Sequence, residues 1–224
     1  MHNSENGFYP RVKPHTGQPA HCPSGRWVSE RGLQVITGEA TLARYSMLIS
    51  QTFAEIEDII PADGSLLLIF RRGAAISAAL EAALTVPLKG LATTAGKLHE
   101  IAVEYGGASG PDLVALAEQA GMDVATYIHS HAAAAYTVAF LGFQPGFPYL
   151  YGLPSTLHAP RRATPRVRVA AGSVAIGGTY TGIYPAEGPG GWQIIGRTRS
   201  VLFDPGREPP ALLLPGDRVR FVPL

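Results

Sequence analysis

The sequence predicts an α+β protein in which a small N-terminal antiparallel α/β sandwich domain is followed by a β-barrel domain. Helical and strand patterns alternate in the first part of the chain, whereas after residue 141 the helical periodicity gives way to short apolar runs bounded by Gly or Pro. The 224 residues include 26 Gly and 19 Pro, and this turn-rich composition argues against a helical bundle. A hydrophobic fraction of 46% with 16% charged residues excludes a wholly disordered chain.

The N-terminal part is interpreted as a tail, residues 1–25, and a domain, residues 26–90. The tail has no hydrophobic periodicity, so we expect it to be disordered. The domain is expected to begin with two strands that flank a turn at residues 31–32. A helix, a hairpin and a second helix follow, with their apolar positions at 42–53, at 56–60 and 65–70, and at 76–84. The order ββαββα predicts one antiparallel sheet with both helices on one face.

The domain boundary is placed in the small and polar residues at 88–96, and residues 96–224 form the second domain. Its first elements are a strand from Leu98 to Tyr105, a helix that starts at Pro111, and a shorter helix that Asp123 caps. A strand at 136–141 comes next. The later apolar runs predict a closed or nearly closed barrel; they lie at 167–170, 173–176, 182–184, 192–197, 201–203 and 219–222.

Charge is unevenly distributed along the chain. Residues 1–158 hold 9 basic and 13 acidic side chains, whereas residues 159–224 hold 9 basic and 4 acidic ones, and all of those later cations are Arg. The guanidinium group suits carboxylate or phosphate ligands, although a solvated Arg-rich surface is an equal alternative. A pI of 7.9 gives little support to nucleic-acid binding.

Several sites and segments are absent from the sequence. Cys22 is the single cysteine, so neither a disulfide nor a CxxC zinc site can form. No leader-like or membrane-spanning apolar run is found, and we therefore expect a cytoplasmic protein with no membrane association. The segment from Gly90 to Lys97 has the wrong spacing for a phosphate loop. His129 and His131 lack a third ligand nearby, so no metal site is predicted.

One stretch of sequence is highly specific. It comprises FLGFQPGFPYL at 140–150, PRRATPR at 160–166, AGSV at 171–174, TGIYP at 181–185, PGGW at 189–192 and GRT at 196–198. Related segments are YGG at 105–107, GPDL at 110–113 and LPGDRVRF at 214–221. Together these segments resemble the PxpB/KipI family, which contains the B subunit of bacterial ATP-dependent 5-oxoprolinase, also called allophanate hydrolase subunit 1. The resemblance covers residues 98–224 closely and residues 26–90 only by element order.

The resemblance implies a cyclophilin-like barrel and a heteromeric enzyme. Its other subunits would be a PxpC-like protein, related to allophanate hydrolase subunit 2, and a PxpA-like protein. The complex would cleave 5-oxoproline to L-glutamate with ATP hydrolysis, with ATP and Mg acting in the complex and no cofactor bound tightly to this chain. Alternatives are a KipI-like inhibitor of a histidine kinase, or a subunit of a related urea or allophanate system.

Candidate site residues lie in the matched segments. His131 titrates near neutrality and is the candidate general acid or base, with a buried histidine bonded to a backbone carbonyl as its alternative. Arg166 and Arg197 are the candidates for binding a substrate carboxylate, and the alternative for these arginines is a salt bridge to Glu187 or Asp217. Further candidate substrate-binding residues are Gln144, Phe147, Tyr149, Thr181, Tyr184 and Trp192.

Overall fold

The computed structural model describes residues 25–87 and 96–224. The described residues divide into two compact units, 25–87 and 96–224. Most of the predicted tail and nearly all of the predicted boundary segment lie outside the described residues. Gly25 is described, and it already belongs to the first strand.

The N-terminal unit has the predicted order ββαββα. Its elements are β1 (Gly25–Trp27), β2 (Gly32–Ile36), α1 (Thr41–Ile49), β3 (Ile56–Ala62), β4 (Ser65–Phe70) and α2 (Ala78–Thr85). The strands form a fully antiparallel sheet in the order β1-β2-β4-β3. The predicted single antiparallel sheet is therefore confirmed.

One face of this sheet carries the core. Leu33 of β2 and Leu66 of β4 are fully buried in the same cluster as Leu48 of α1 and Leu80 of α2. Because side chains alternate along a strand, both helices cover the same face of the sheet, as predicted. The first turn lies earlier than predicted, since β1 ends at Trp27. The first helix ends at Ile49, short of the predicted limit.

The second unit is a closed barrel with two helices. Its strands are β5 (Leu98–Tyr105), β6 (Tyr136–Leu141), β7 (Pro148–Tyr151), β8 (Arg166–Val169), β9 (Ser173–Gly177), β10 (Tyr180–Ile183), β11 (Gly188–Gly190), β12 (Gln193–Arg197) and β13 (Arg218–Pro223). Seven strands close the barrel in the order β10-β7-β6-β13-β5-β12-β9, and β8 and β11 form a separate ribbon. The predicted barrel is thus confirmed.

Two helices lie between β5 and β6. They are α3 (Leu113–Gln119) and α4 (Val124–Ala133). The Asp123 side chain accepts a hydrogen bond from the Thr126 N–H, which confirms the predicted N-cap. Within the described residues, none of the helices has the length and apolar character that a bilayer crossing requires.

The sequence patterns missed two strands and overestimated one. β7 follows the Pro- and Gly-rich turn at 142–147, and β11 is the segment Gly-Pro-Gly; neither has an alternating apolar pattern. The apolar run at 201–203 does not form a strand, because its only ladder contact is an isolated bridge between Phe203 and Ala211.

Candidate functional site

The barrel wall separates two apolar clusters. In β9, Val174 and Ile176 belong to the main core, whereas Ala175 between them belongs to a second cluster. Because successive side chains point to opposite faces of a strand, this second cluster lies on the outer face of the barrel. We call it the outer-face cluster; its buried members are Phe147, Val169, Ala175, Tyr184, Trp192 and Ile194, with Tyr149 and Tyr180 packed against them.

Two glycines make room for the rings of this cluster. A Cβ atom on Gly177 would lie 2.4 Å from Cδ2 of Trp192, and one on Gly182 would lie 2.8 Å from Cε1 of Phe147. Side chains at either position would collide with the rings, so the indole and the phenyl ring rest directly on the backbone of β9 and β10.

The rings pack edge to face. Phe147 meets Trp192 at 5.3 Å and 82° between ring planes, and it meets Tyr184 at 5.1 Å and 90°. Tyr149 meets Trp192 at 5.4 Å and 78°. Phe143 lies at the rim, where it contacts Phe147 and Tyr184 although 60% of it is exposed. Its φ of 65° is in the left-handed region, which costs free energy for a residue with a side chain.

Arginines lie next to the rings, and a buried carboxylate holds two of them. Arg166 donates from Nη2 to Oδ1 of Asp112 at 2.7 Å, and Arg162 donates from Nη1 to the same oxygen at 3.1 Å. The other oxygen, Oδ2, accepts from the backbone N–H of Ile194 at 2.6 Å. Arg161 lies over the Trp192 ring at 5.7 Å from its centroid, a cation–π distance.

Tyr184 connects the aromatic and the charged parts of the site. Burial raises the pKa of its phenol, while a backbone hydrogen bond at Trp192 and the charges of Arg161 and Arg166 oppose that rise. The phenol therefore stays protonated at neutral pH and can donate a hydrogen bond.

Three buried polar atoms near the ribbon and the rim have no hydrogen-bond partner among the described residues. They are Nε of Arg162, Nη1 of Arg166 and Oε1 of Gln144. Buried polar groups are nearly always hydrogen-bonded in native proteins. Two donors and one acceptor without partners, beside a cluster of aromatic rings, are suited to a small polar ligand.

The structure brings together most of the predicted site residues. Those on the outer face are Arg166, Gln144, Phe147, Tyr149, Tyr184 and Trp192. The aromatic residues among them thus pack on the outer face of the barrel wall.

His131 and Thr181 lie inside the barrel. His131 is fully buried; its Nδ1 is 2.8 Å from the Tyr105 hydroxyl and its Nε2 is 3.2 Å from the Thr181 hydroxyl. Burial lowers its pKa to about 3. This geometry favours the structural alternative for His131, although its partners are hydroxyl groups and not the backbone carbonyl that was expected.

Arg197 lies apart from the Asp112 group. Its Nε donates to the carbonyl of Ala171 at 3.0 Å. It lines a separate cavity of about 430 Å³ together with Glu104, Arg199 and Thr198. Arg166 and Arg197 therefore do not have the common surroundings that their shared assignment suggested.

The salt bridges expected for the arginines were assigned to the wrong acids. Arg166 pairs with Asp112, whereas Glu187 pairs with Arg168 and Asp217 with His99. Asp112 was not named as a partner of either arginine. The available signal was its position in the matched GPDL segment, which singles out this acid among many.

Comparisons with known proteins agree with this architecture. The family model "Carboxyltransferase domain, subdomain C and D" matches residues 28–213. The chain is 59% identical over 124 residues to the B subunit of 5-oxoprolinase from Escherichia coli O157:H7, which covers 55% of this chain and 57% of that protein. It is 53% identical over 127 residues to the protein of the same name from Haemophilus influenzae, with 57% and 60% covered. The matched part thus spans less than two thirds of these curated relatives.

Solved structures show the same fold. The protein PH0987 from Pyrococcus horikoshii is 35% identical, with 88% of this chain and 95% of that one covered at a TM-score of 0.56. A crystal structure of TTHA0988 is 36% identical, with 87% of this chain and 40% of that one covered at a TM-score of 0.72. The urea carboxylase of Kluyveromyces lactis, at 21% identity and a TM-score of 0.69, shares the fold over 97% of this chain and 23% of its own.

Proposed function

The chain belongs to the family of carboxyltransferase domains, subdomains C and D, and from this membership we propose that it is the B subunit of an ATP-dependent 5-oxoprolinase. The complex would cleave 5-oxoproline to L-glutamate with hydrolysis of ATP. Relatives that carry the name of this 5-oxoprolinase component support the proposal. The observation that carries it is the juxtaposition of aromatic rings with arginine donors that lack partners among the described residues.

The proposed substrate suits this arrangement chemically. 5-Oxoproline is a small lactam ring that bears one carboxylate. The rings of Phe147, Tyr149 and Trp192 offer an apolar surface for the lactam ring, and Arg166 offers a guanidinium donor for the carboxylate. The side chain of Gln144 and the phenol of Tyr184 are the proposed hydrogen-bonding groups for the amide.

The same groups would assist activation of the amide. A lactam carbonyl is a weak electrophile. Transfer of the γ-phosphoryl group of ATP to its oxygen, with ADP as the leaving group, would let water attack the carbon; the C–N bond then breaks and phosphate is released. Negative charge then spreads over several oxygens, and preorganised donors stabilise it best. In this proposal, the arginines bind and orient the substrate, and the aromatic rings exclude water.

The remaining predicted residues keep separate proposals. Arg197 is proposed to bind an anion at its own cavity, since its exposed side chain lies beside Arg199. The predicted acid or base role of His131 and the substrate contact of Thr181 would require access to the barrel interior. For both residues we favour a role in packing the barrel.

We propose that the site is completed by partner subunits, one PxpC-like and one PxpA-like. The relatives' names include the word subunit, which supports an assembly. The exposed rim residue Phe143 offers an apolar surface that a partner would cover. ATP and Mg²⁺ are proposed to act in the complex, since the sequence contains no phosphate loop. A cytoplasmic location stays a prediction.

The test is reconstitution. Purified protein is assayed for glutamate and phosphate release with 5-oxoproline, ATP and Mg²⁺, alone and with each candidate partner. We expect no turnover by the chain alone and turnover when both partners are present. Turnover by the isolated chain would contradict the shared site, and no turnover with both partners would contradict the proposed function.

A second candidate function follows from the exposed aromatic rim. Phe143 is 60% exposed in a strained conformation beside the outer-face cluster, and such a residue also suits the binding of a protein segment. This observation favours the KipI-like alternative, in which the barrel inhibits a histidine kinase. Inhibition of kinase autophosphorylation that is lost in Phe143→Ser, together with inactive reconstituted complexes, would support this candidate over the first.

A further inference from the structure

We infer that Asp112 is a positioning residue that presents Arg162 and Arg166 to the carboxylate of a small ligand on the outer face of the barrel. The inference rests on the proposed function for the identity of that ligand, 5-oxoproline. The ion pairs that define the geometry, from Arg162 and Arg166 to Asp112, lie within this chain.

The Asp112 side chain does not serve its own helix. It occupies the N-cap position of α3, yet it makes no capping hydrogen bond there. Instead, its backbone N–H donates to the carbonyl of Ile194 at 3.0 Å and its Oδ2 accepts from the Ile194 N–H at 2.6 Å. The carboxylate is thereby fixed to β12 from two directions, with only 9% of the residue exposed.

The fixed carboxylate determines where the two guanidinium groups point. Oδ1 accepts from Arg162 and from Arg166, so each arginine uses one nitrogen for Asp112 and keeps others for a further acceptor. The atoms Arg162 Nε and Arg166 Nη1 are buried and have no such acceptor within residues 25–87 and 96–224. Buried donors of this kind are costly unless a ligand oxygen meets them.

The local charge favours an anion. Asp112 is shared between Arg162 and Arg166, and Arg161 adds a third cation over the Trp192 ring. By contrast, Arg168 on the same strand as Arg166 has its own carboxylate partner, Glu187, and its side chain is 77% exposed. Between residues 161 and 168, the positive excess therefore lies on the three arginines beside the rings, and partial burial of Arg162 and Arg166 reduces its screening by solvent.

We assign this excess to a carboxylate and not to a phosphate. The two unpartnered nitrogens belong to arginines that share one anchoring oxygen, and a carboxylate accepts from guanidinium groups through its two oxygens. Ring surfaces next to the arginines suit a small cyclic acid, whereas a nucleotide phosphate would also call for backbone N–H donors of a glycine-rich loop.

The experiment uses the full chain and three probes at constant ionic strength. The probes are 5-oxoproline, its uncharged carboxamide and inorganic phosphate, each titrated by calorimetry and followed in ¹H–¹⁵N spectra. The wild-type chain should bind 5-oxoproline in preference to both other probes. Arg162→Lys and Arg166→Lys should each weaken this binding by about tenfold or more, because Lys keeps the charge but loses the fork. Arg168→Lys is the matched control and should leave binding unchanged.

Asp112→Asn separates positioning from simple charge balance, because the two roles predict opposite signs. If Asp112 only neutralised the arginines, removing its charge would strengthen the binding of an anion. If it positions them, binding weakens, since the Asn NH₂ would face either the guanidinium donors or the Ile194 N–H, and all three hydrogen bonds cannot be kept. We expect binding to be weaker by about tenfold or more.

Several outcomes would overturn the inference. For the wild-type chain, these are no saturable binding of 5-oxoproline, binding of the carboxamide with the same affinity, or a preference for phosphate. For the variants, they are unchanged or tighter binding of 5-oxoproline by folded Asp112→Asn, or a loss of affinity in Arg168→Lys as large as in Arg162→Lys and Arg166→Lys. If Asp112→Asn does not fold, the comparison of the Lys variants decides. If the reconstituted complex is active but the Lys variants bind 5-oxoproline as well as the wild type does, this inference is rejected and the proposed function is kept. If the chain binds the carboxylate as expected but the reconstituted complex is inactive, the proposed function is rejected and this inference is kept.

Discussion

Replacing Gly177 by Ala should disrupt the outer-face cluster. Gly177 ends β9, and the indole of Trp192 lies against its Cα. Its φ is not in the left-handed region, so the backbone itself accepts Ala, and the effect of the substitution comes from the added methyl group alone.

The expected size follows from the distances. The new Cβ would lie 2.4 Å from Cδ2 and 2.5 Å from Cε2 of Trp192, whereas an ordinary contact begins at 3.4 Å. The ring would have to move by about 1 Å into Phe147 and Tyr149, which already contact it. Overpacking of this kind costs about 1–3 kcal/mol, which would lower the melting temperature of the barrel unit by roughly 3–12 °C.

The assay combines thermal unfolding with the indole N–H signals of a ¹H–¹⁵N spectrum. The chain has two tryptophans, so the Trp192 signal should shift while the Trp27 signal in the N-terminal unit stays in place. Gly191→Ala is the matched control, because its Cβ would meet nothing closer than 3.6 Å. The free energy of unfolding of that variant should be unchanged or higher by about 0.4–1 kcal/mol at most.

A Gly177→Ala protein that melts at the wild-type temperature with an unchanged Trp192 signal would contradict the predicted collision. A loss of equal size in Gly191→Ala would also refute it, because the effect would then arise from glycine replacement in general and not from contact with the ring.

Two further predictions concern buried polar groups. Burial lowers the pKa of His131 from 6.5 to about 3, so the unfolded chain binds a proton that the folded chain excludes. The free energy of unfolding, measured by chemical denaturation, should therefore fall by up to about 1.4 kcal/mol per pH unit as the pH drops from 6.5 towards 3. His131→Gln should show a shallower dependence of this free energy on pH, and a slope equal to that of the wild type would contradict the prediction. Asp217 accepts hydrogen bonds from the N–H groups of Lys97 and Leu214 and pairs with His99 at 3.0 Å, so urea unfolding of Asp217→Ala should show a loss of about 2–4 kcal/mol in the free energy of unfolding. The control is Glu100→Gln, which breaks an exposed ion pair of β5 and should change this free energy by less than about 1 kcal/mol. Similar losses in the two variants would contradict the prediction.

The local patterns were reliable where a single face of an element decides its burial. The helix predicted to start near Pro111 has an apolar stripe at Leu113, Leu116, Ala117 and Ala120; the first three are buried and Ala120 is half-buried. The alternating strand β5 has the predicted bounds. Elements without such a pattern were missed. β11 has the sequence Gly-Pro-Gly, and its pairing with β8 depends on the segments that flank it in the sequence.

The sequence by itself determined the element order of the N-terminal unit, the closed barrel, and the family, because hydrophobic periodicity and specific motifs are properties of neighbouring residues. It also supplied four of the eight residues of the outer-face cluster, although it could not sort them from Thr181, which is adjacent to Gly182 in β10 and faces the opposite side of the wall. Only the tertiary structure decided the partners of charged groups. Asp112 and Arg166 are separated by 54 positions, and an ion pair between such distant residues depends on how the ribbon of β8 and β11 lies against the start of α3, not on any local pattern.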